Sequence, residues 1–133
     1  MNCLQKTGQG TDEDDRMNDN LLTSLQQQLR EFAQARDWEQ FHTPKNLAMA
    51  LTIEAAELQE IFQWLTPEQS AHLDAKQRAQ AEAELADVLL YLCRLADVLN
   101  IDLARAAAAK LQRNAEKYPA ELVRGKAAKY SEY

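Results

Sequence analysis

Between Leu85 and Leu99 the residues Leu85, Val88, Leu89, Leu92, Leu95, Ala96 and Leu99 recur at helical intervals without a gap, which lines one face of an α-helix with apolar side chains. Glu84, Asp87 and Tyr91 fall along the edge of that stripe. A second apolar stretch has the same period in Leu47, Ala50, Leu51, Leu58, Ile61, Phe62 and Leu65, and here Glu54 and Glu57 sit in the stripe itself. Each acidic pair is spaced i, i+3, so both carboxylates share one face with Cβ atoms about 5–6 Å apart. A buried carboxylate without a partner costs several kcal/mol, so stability alone does not place acids there. Converging from two antiparallel helices they would repel one another unless a divalent cation sat between them. Ligation by oxygen alone suits Mg²⁺, Mn²⁺ or Ca²⁺.

The rest of the chain punctuates as helices. Only three glycines and three prolines occur in 133 residues, which leaves few breakers. Residues 1–18, with Gly8, Gly10 and the Asp12 to Asp15 acidic run, lack apolar content and read as a disordered acidic leader to a single domain over 19–133. A helical pattern starts at Asp19, runs through Leu22, Leu25, Leu29, Phe32 and Ala33, and should end near Arg36 or Asp37. Thr43 before Pro44 is a start signal, because proline lacks an N–H that would have no helical partner there. The helix it opens should reach about Leu65. Thr66 and Gln69 are spaced as a capping box opening a short helix or turn to about Leu73, and Asp74 can cap the next helix. Asn100 suits a left-handed stop and Asp102 an N-cap, with a last long helix from 103 to about 118, before Pro119. Residues 120–133 are basic and short. Strand alternation, internal repeats and a glycine-rich phosphate loop are absent from the sequence, so the expected fold is an all-α bundle of about four helices.

Charge narrows the partners. A formal net charge of −6 argues against binding nucleic acid polymers, whose phosphates need cations. The excess is uneven: residues 105–133 hold seven Lys and Arg against three Glu, a basic segment able to face a metal-bound polyphosphate. The apolar runs are too short for a membrane span and the N-terminus lacks the order of a signal peptide, so the expected location is the cytoplasm. Cys3 and Cys93 make neither a disulfide framework nor a metal spacing, and Cys93, inside an apolar helix, is expected to be a buried thiol.

Several residues carry two readings. Trp38, Phe41 and Trp64 flank the second helix and offer faces on which a base can stack, or else serve as core or interface. Glu60 continues the Glu54, Glu57 spacing and is either a base for water, a further ligand, or a surface acid. His42 beside aromatics either contacts a ligand or does not, and His72 should face solvent. Lys110 and Asn114 share a helix face and reach a phosphate or sugar, or are ordinary surface groups.

The ordered set Arg36-Asp-Trp-Glu-Gln-Phe-His42, Pro44, Asn46, Glu54-x-x-Glu57-x-x-Glu60, Phe62-Gln-Trp64, Glu84-x-x-Asp87-x-x-x-Tyr91, Lys110-x-x-x-Asn114, Tyr118-Pro119 and Lys129-Tyr130 resembles the MazG-like nucleoside triphosphate pyrophosphohydrolases, most closely their dCTP pyrophosphatase branch. The resemblance runs from about Leu21 to Tyr133. The wider family's motif begins with two adjacent glutamates; Ile53 stands before Glu54 here, and that branch also lacks the first glutamate. The resemblance implies hydrolysis of a nucleoside triphosphate to the monophosphate and pyrophosphate, and the branch favours dCTP or its 5-substituted forms, with other deoxynucleotides open. It places Mg²⁺ on Glu54, Glu57, Glu84 and Asp87, the base and sugar among Trp38, His42, Trp64 and Tyr91, and the sugar-phosphate end near Lys110 and Asn114. It also implies a homotetramer, a dimer of dimers whose neighbouring chains help wall the pocket. Glu57 and Glu60 are the candidates for the base that activates water. Two readings compete: a carboxylate-bridged di-iron bundle, which wants Glu-x-x-His pairs that neither His42 nor His72 completes, and a non-catalytic helical oligomerisation module with acids on its surface.

Overall fold

A computed structural model describes residues 11–127 and 131 of the chain, with side chains from residue 21 onward. The leader expected over 1–18 therefore lies outside the described residues up to residue 10, and so does the Lys129-Tyr130 motif. The described residues are helical and form no strand: α1 (Thr11–Gln34), a 3₁₀ turn (Glu39–Phe41), α2 (Pro44–Phe62), α3 (Pro67–Ser70), α4 (Ala75–Val98), α5 (Leu103–Lys117) and α6 (Ala120–Val123). The all-α expectation holds, with two four-residue helices added to four long ones. The first helix begins at Thr11, ahead of the expected Asp19. After Gly10 neither glycine nor proline interrupts the chain until Pro44, so the helix propagates backward from its apolar part at little cost.

Helix boundaries follow local side chains. Thr43 caps α2 by accepting from Asn46 N at 3.2 Å. The capping box at Thr66 and Gln69 is reciprocal, with bonds of 2.9 and 3.2 Å. Asp74 forms a second box with Gln77, at 2.8 and 3.1 Å. α1 and α4 end alike. Asp37 (φ 54°) and Asn100 (φ 53°) adopt the left-handed conformation, and the following N–H reaches back, Trp38 to Ala33 O at 2.9 Å and Ile101 to Ala96 O at 2.8 Å. This is the Schellman closure, which satisfies carbonyls that a helix end leaves open. α2 stops at Phe62, three residues short of the expected Leu65, because Leu65 N turns to Phe62 O ahead of the Thr66 cap.

The residues divide into two units between Ile101 and Asp102. In the first, α4 packs against both α2 and α1. Its core is small: Ala33 is 0% exposed, Leu47 2% and Cys93 0%, with Ala81 and Ala96 nearly as deep. Short side chains at these contacts let the helices approach closely. Cys93 is the buried thiol expected, and burial pushes its pKa up. The leucine stripe of α4 behaves differently from a simple core face: Leu85 is 55% exposed and Leu89, Leu92 and Leu99 are also open to solvent in the single chain. α1 and α2 cover the side that carries Cys93 and Ala96, and the stripe is wider than they can reach. The second unit holds α5, capped by Asp102 through Arg105 N at 3.0 Å, and α6, a turn that the sequence reading does not anticipate. None of the helices among the described residues is long and apolar enough to cross a membrane.

Candidate functional site

The two acidic pairs meet. Glu54 from α2 and Glu84 and Asp87 from α4 each offer a carboxylate oxygen within 4.8 Å of the others. Glu57, the fourth expected ligand, is outside that group of three but near enough for its charge to act on both Glu54 and Glu84. Glu84 Oε2 is buried without a hydrogen-bond partner. An orphaned carboxylate oxygen inside a ring of acids is what a hard divalent cation would satisfy, and these all-oxygen donors fit that class of ion.

The electrostatics agree. Desolvation, then Glu57, Asp87 and Glu84, hold the Glu54 carboxyl above its ordinary value. Desolvation raises Glu84 also, followed by the charges of Glu57 and Asp87, with Glu60 adding a smaller push. A raised carboxylate pKa means that the folded chain binds more protons than the unfolded one. The contribution of these two groups to stability is therefore greatest at and below the ordinary value of 4.5 and falls as pH rises through the raised values. In cation-free buffer at pH 7 the Glu84→Gln chain should accordingly melt higher than the wild type, with the gap closing toward pH 4.5; a lower melting temperature at pH 7 would show the Glu84 charge to be compensated.

Beside the acids lies a cavity of about 450 Å³ lined by Leu25, Gln28, Leu29, Phe32, Trp38, His42, Asp87, Leu90, Tyr91 and Arg94. Its walls come from α1, α4 and the turn between α1 and α2. The Schellman closure at Asp37 throws Trp38 back over α1, where its ring meets Phe32 edge-on at 5.8 Å. The 3₁₀ turn then carries His42, whose N–H reaches Trp38 O and Glu39 O, both at 3.1 Å. Arg36 sits over Phe32 with its guanidinium carbon 3.5 Å from the ring centre, a cation–π contact that stiffens this wall.

Of the expected substrate contacts, Trp38, His42 and Tyr91 line this cavity and Trp64 does not. Trp64 is 86% exposed in the turn after α2. Lys110 and Asn114 belong to the second unit, on α5, Lys110 exposed and Asn114 half-buried. Glu60 is exposed on α2, and His72 is exposed as expected, its Nδ1 2.9 Å from Glu68 O.

The sequence reading misses a charged cluster behind the cavity. Arg94 is 6% exposed; its Nη1 donates to Asp97 Oδ2 at 2.9 Å and its Nε to His42 Nδ1 at 3.1 Å. Arg30 from α1 forks onto the same carboxylate. One signal is available beforehand: an arginine three residues before an aspartate in the middle of an apolar helix. Nothing local points to Arg30, 67 residues away.

Comparison with known proteins agrees with the geometry. The MazG-like family matches residues 49–132. dCTP pyrophosphatase 1 of Rattus norvegicus is 46% identical over 104 residues, 77% of this chain and 61% of that protein. The Homo sapiens protein of the same name is 45% identical over the same shares. The chain thus spans about three-fifths of the length of the curated relatives it matches. The crystal structure of a pyrophosphatase from Archaeoglobus fulgidus superposes with a TM-score of 0.65 at 37% identity, covering 86% of this chain and 99% of that one. With two acid pairs facing each other across α2 and α4 and a match over most of its length, the chain belongs to the MazG-like family.

Proposed function

We propose that the chain hydrolyses a deoxynucleoside triphosphate, dCTP or a related dNTP, to the nucleoside monophosphate and pyrophosphate, clearing surplus nucleotides from the cytoplasmic pool. The observation that carries this reading is the double position of Asp87, a member of the acid cluster and of the lining of a base-sized aromatic cavity. A triphosphate whose base enters the cavity would lay its phosphates toward the acids. The relatives named dCTP pyrophosphatase 1 favour the same chemistry.

Glu54, Glu57, Glu84 and Asp87 would hold Mg²⁺, with Mn²⁺ as the substitute. Such an ion offsets triphosphate charge and acidifies water. The chain's own groups do the rest. Trp38, His42 and Tyr91 bind and orient the base and sugar. Glu57, within the cluster, or Glu60, one turn beyond, accepts the proton from the attacking water as it adds to the α-phosphorus and pyrophosphate leaves. Lys110 and Asn114 take the sugar-phosphate end on the strength of the family motif. Purified protein incubated with each dNTP and Mg²⁺ should release pyrophosphate, fastest from dCTP or its 5-substituted forms. No release from any common nucleotide would favour the helical oligomerisation module.

The assembly we propose is a homotetramer, a dimer of dimers. The open leucines of α4 support it, since a contiguous apolar face on a chain with so small a core calls for a covering surface. Trp64, exposed in one chain, would then be free to wall a neighbour's cavity. Introducing Leu85→Lys and Leu89→Lys together should shift the sedimentation mass to a smaller species while the helical circular dichroism stays. An unchanged mass would exclude this face as a subunit contact.

A further inference from the structure

His42 has one ring nitrogen whose state is dictated by its neighbour. Arg94 Nε donates to His42 Nδ1 at 3.1 Å, and a guanidinium can only donate and does not lose its proton in proteins. Nδ1 must therefore present its lone pair, which leaves the ring proton on Nε2. That nitrogen makes no hydrogen bond among the described residues, and the ring lines the cavity. Arg94 is itself immobilised, buried at 6% exposure and held by Asp97 Oδ2 at 2.9 Å, a carboxylate that Arg30 clasps from α1. Glu39 Oε1 stands 4.0 Å from the Arg94 guanidinium on the remaining side. Burial, and then the Arg94 charge, keep the imidazole below its ordinary pKa against the pull of Glu39, which is consistent with a neutral ring.

We propose that Arg94 is a positioning residue that locks His42 as the Nε2–H tautomer, so that the ring presents a hydrogen-bond donor to an acceptor atom on the nucleobase edge. The chemistry sets a preference: a base with a lone pair at that position is accepted, and one with an N–H there meets donor against donor. Cytosine offers acceptors at O2 and N3. The tautomer follows from the chain alone, whereas its role in base selection rests on the nucleotide reading above.

The tautomer is tested by ¹⁵N-resolved spectra of the histidine rings in the nucleotide-free, full-length protein at pH 7, with His42 assigned by the signals that vanish in His42→Gln. The expected pattern is a protonated Nε2 and an acceptor-state Nδ1, relaxing to a mixture of tautomers in Arg94→Met. An Nδ1–H ring or an imidazolium in the wild type, or an unchanged ring in Arg94→Met, overturns the proposal. Arg94→Met leaves Asp97 its fork to Arg30, and Arg94→Gln, which keeps an N–H donor, is the second variant should the first not fold. In the pyrophosphate assay Arg94→Met should raise the KM for dCTP about tenfold with kcat within about twofold, the signature of a lost binding contact. His42→Gln, whose amide N–H can stand in for Nε2–H, should retain more of the wild-type KM than His42→Asn. Equal KM values for wild type and Arg94→Met would overturn the base-edge role. If the spectra behave as expected while the wild type hydrolyses no nucleotide, the positioning of His42 stands and the nucleotide reading fails.

Discussion

Asp87→Asn is expected to lower pyrophosphate release by about three orders of magnitude, corresponding to about 4 kcal/mol of transition-state stabilisation. The side chain is exposed and sits where the acid cluster meets the cavity, so the amide removes a charged ligand oxygen without disturbing packing. Its melting temperature in cation-free buffer should be no lower than that of the wild type, since the side chain is exposed and its charge is one of those that repel Glu54 and Glu84. Loss of the folded state instead would make Asp87 a structural acid and remove the main support for catalysis. In the same assay Glu60→Gln separates the two candidate bases, because unchanged turnover would leave Glu57 alone.

Asp97→Ala should have the largest effect on stability, about 3 kcal/mol. Asp97 is the shared acceptor of two arginines, and its own side chain is 12% exposed. Removing it strands Arg94 as a buried cation whose remaining partners are His42 Nδ1 and a distant Glu39, and uncompensated buried charge costs about 3–5 kcal/mol. The lower end applies because Arg30 is 44% exposed and regains water readily. Against a total near 5–15 kcal/mol for a domain of this size, chemical denaturation should show a clearly lower midpoint at an unchanged slope. A change below about 1 kcal/mol would mean that water reaches Arg94.

What could be read beforehand divides by the range of the interaction. Thr43, Thr66, Asp74 and Asp102 cap their helices as expected because a cap bonds a backbone N–H within three residues, and Asn100 takes the left-handed stop for the same local reason. The acid pairs are legible because i, i+3 spacing inside an apolar stripe is a local pattern, and three of the four expected ligands converge. Features requiring distant partners are not legible. Arg30 and Asp97 meet from opposite ends of the first unit. Trp38 meets Phe32 in the cavity wall only because the chain reverses at Asp37. Which leucines of α4 face a neighbour and which stay open depends on how wide a strip α1 and α2 can shield, and the stripe alone does not contain that width.

The thiol of Cys93 sits on α4 one residue before Arg94, wholly shielded, and Gln26 of α1 reaches its backbone carbonyl at 3.4 Å. An alkylating reagent can meet it only when the helices packed on α4 part from it. The rate at which it is blocked therefore times that parting, and loosening the Asp97 clasp would set the internal clock running faster.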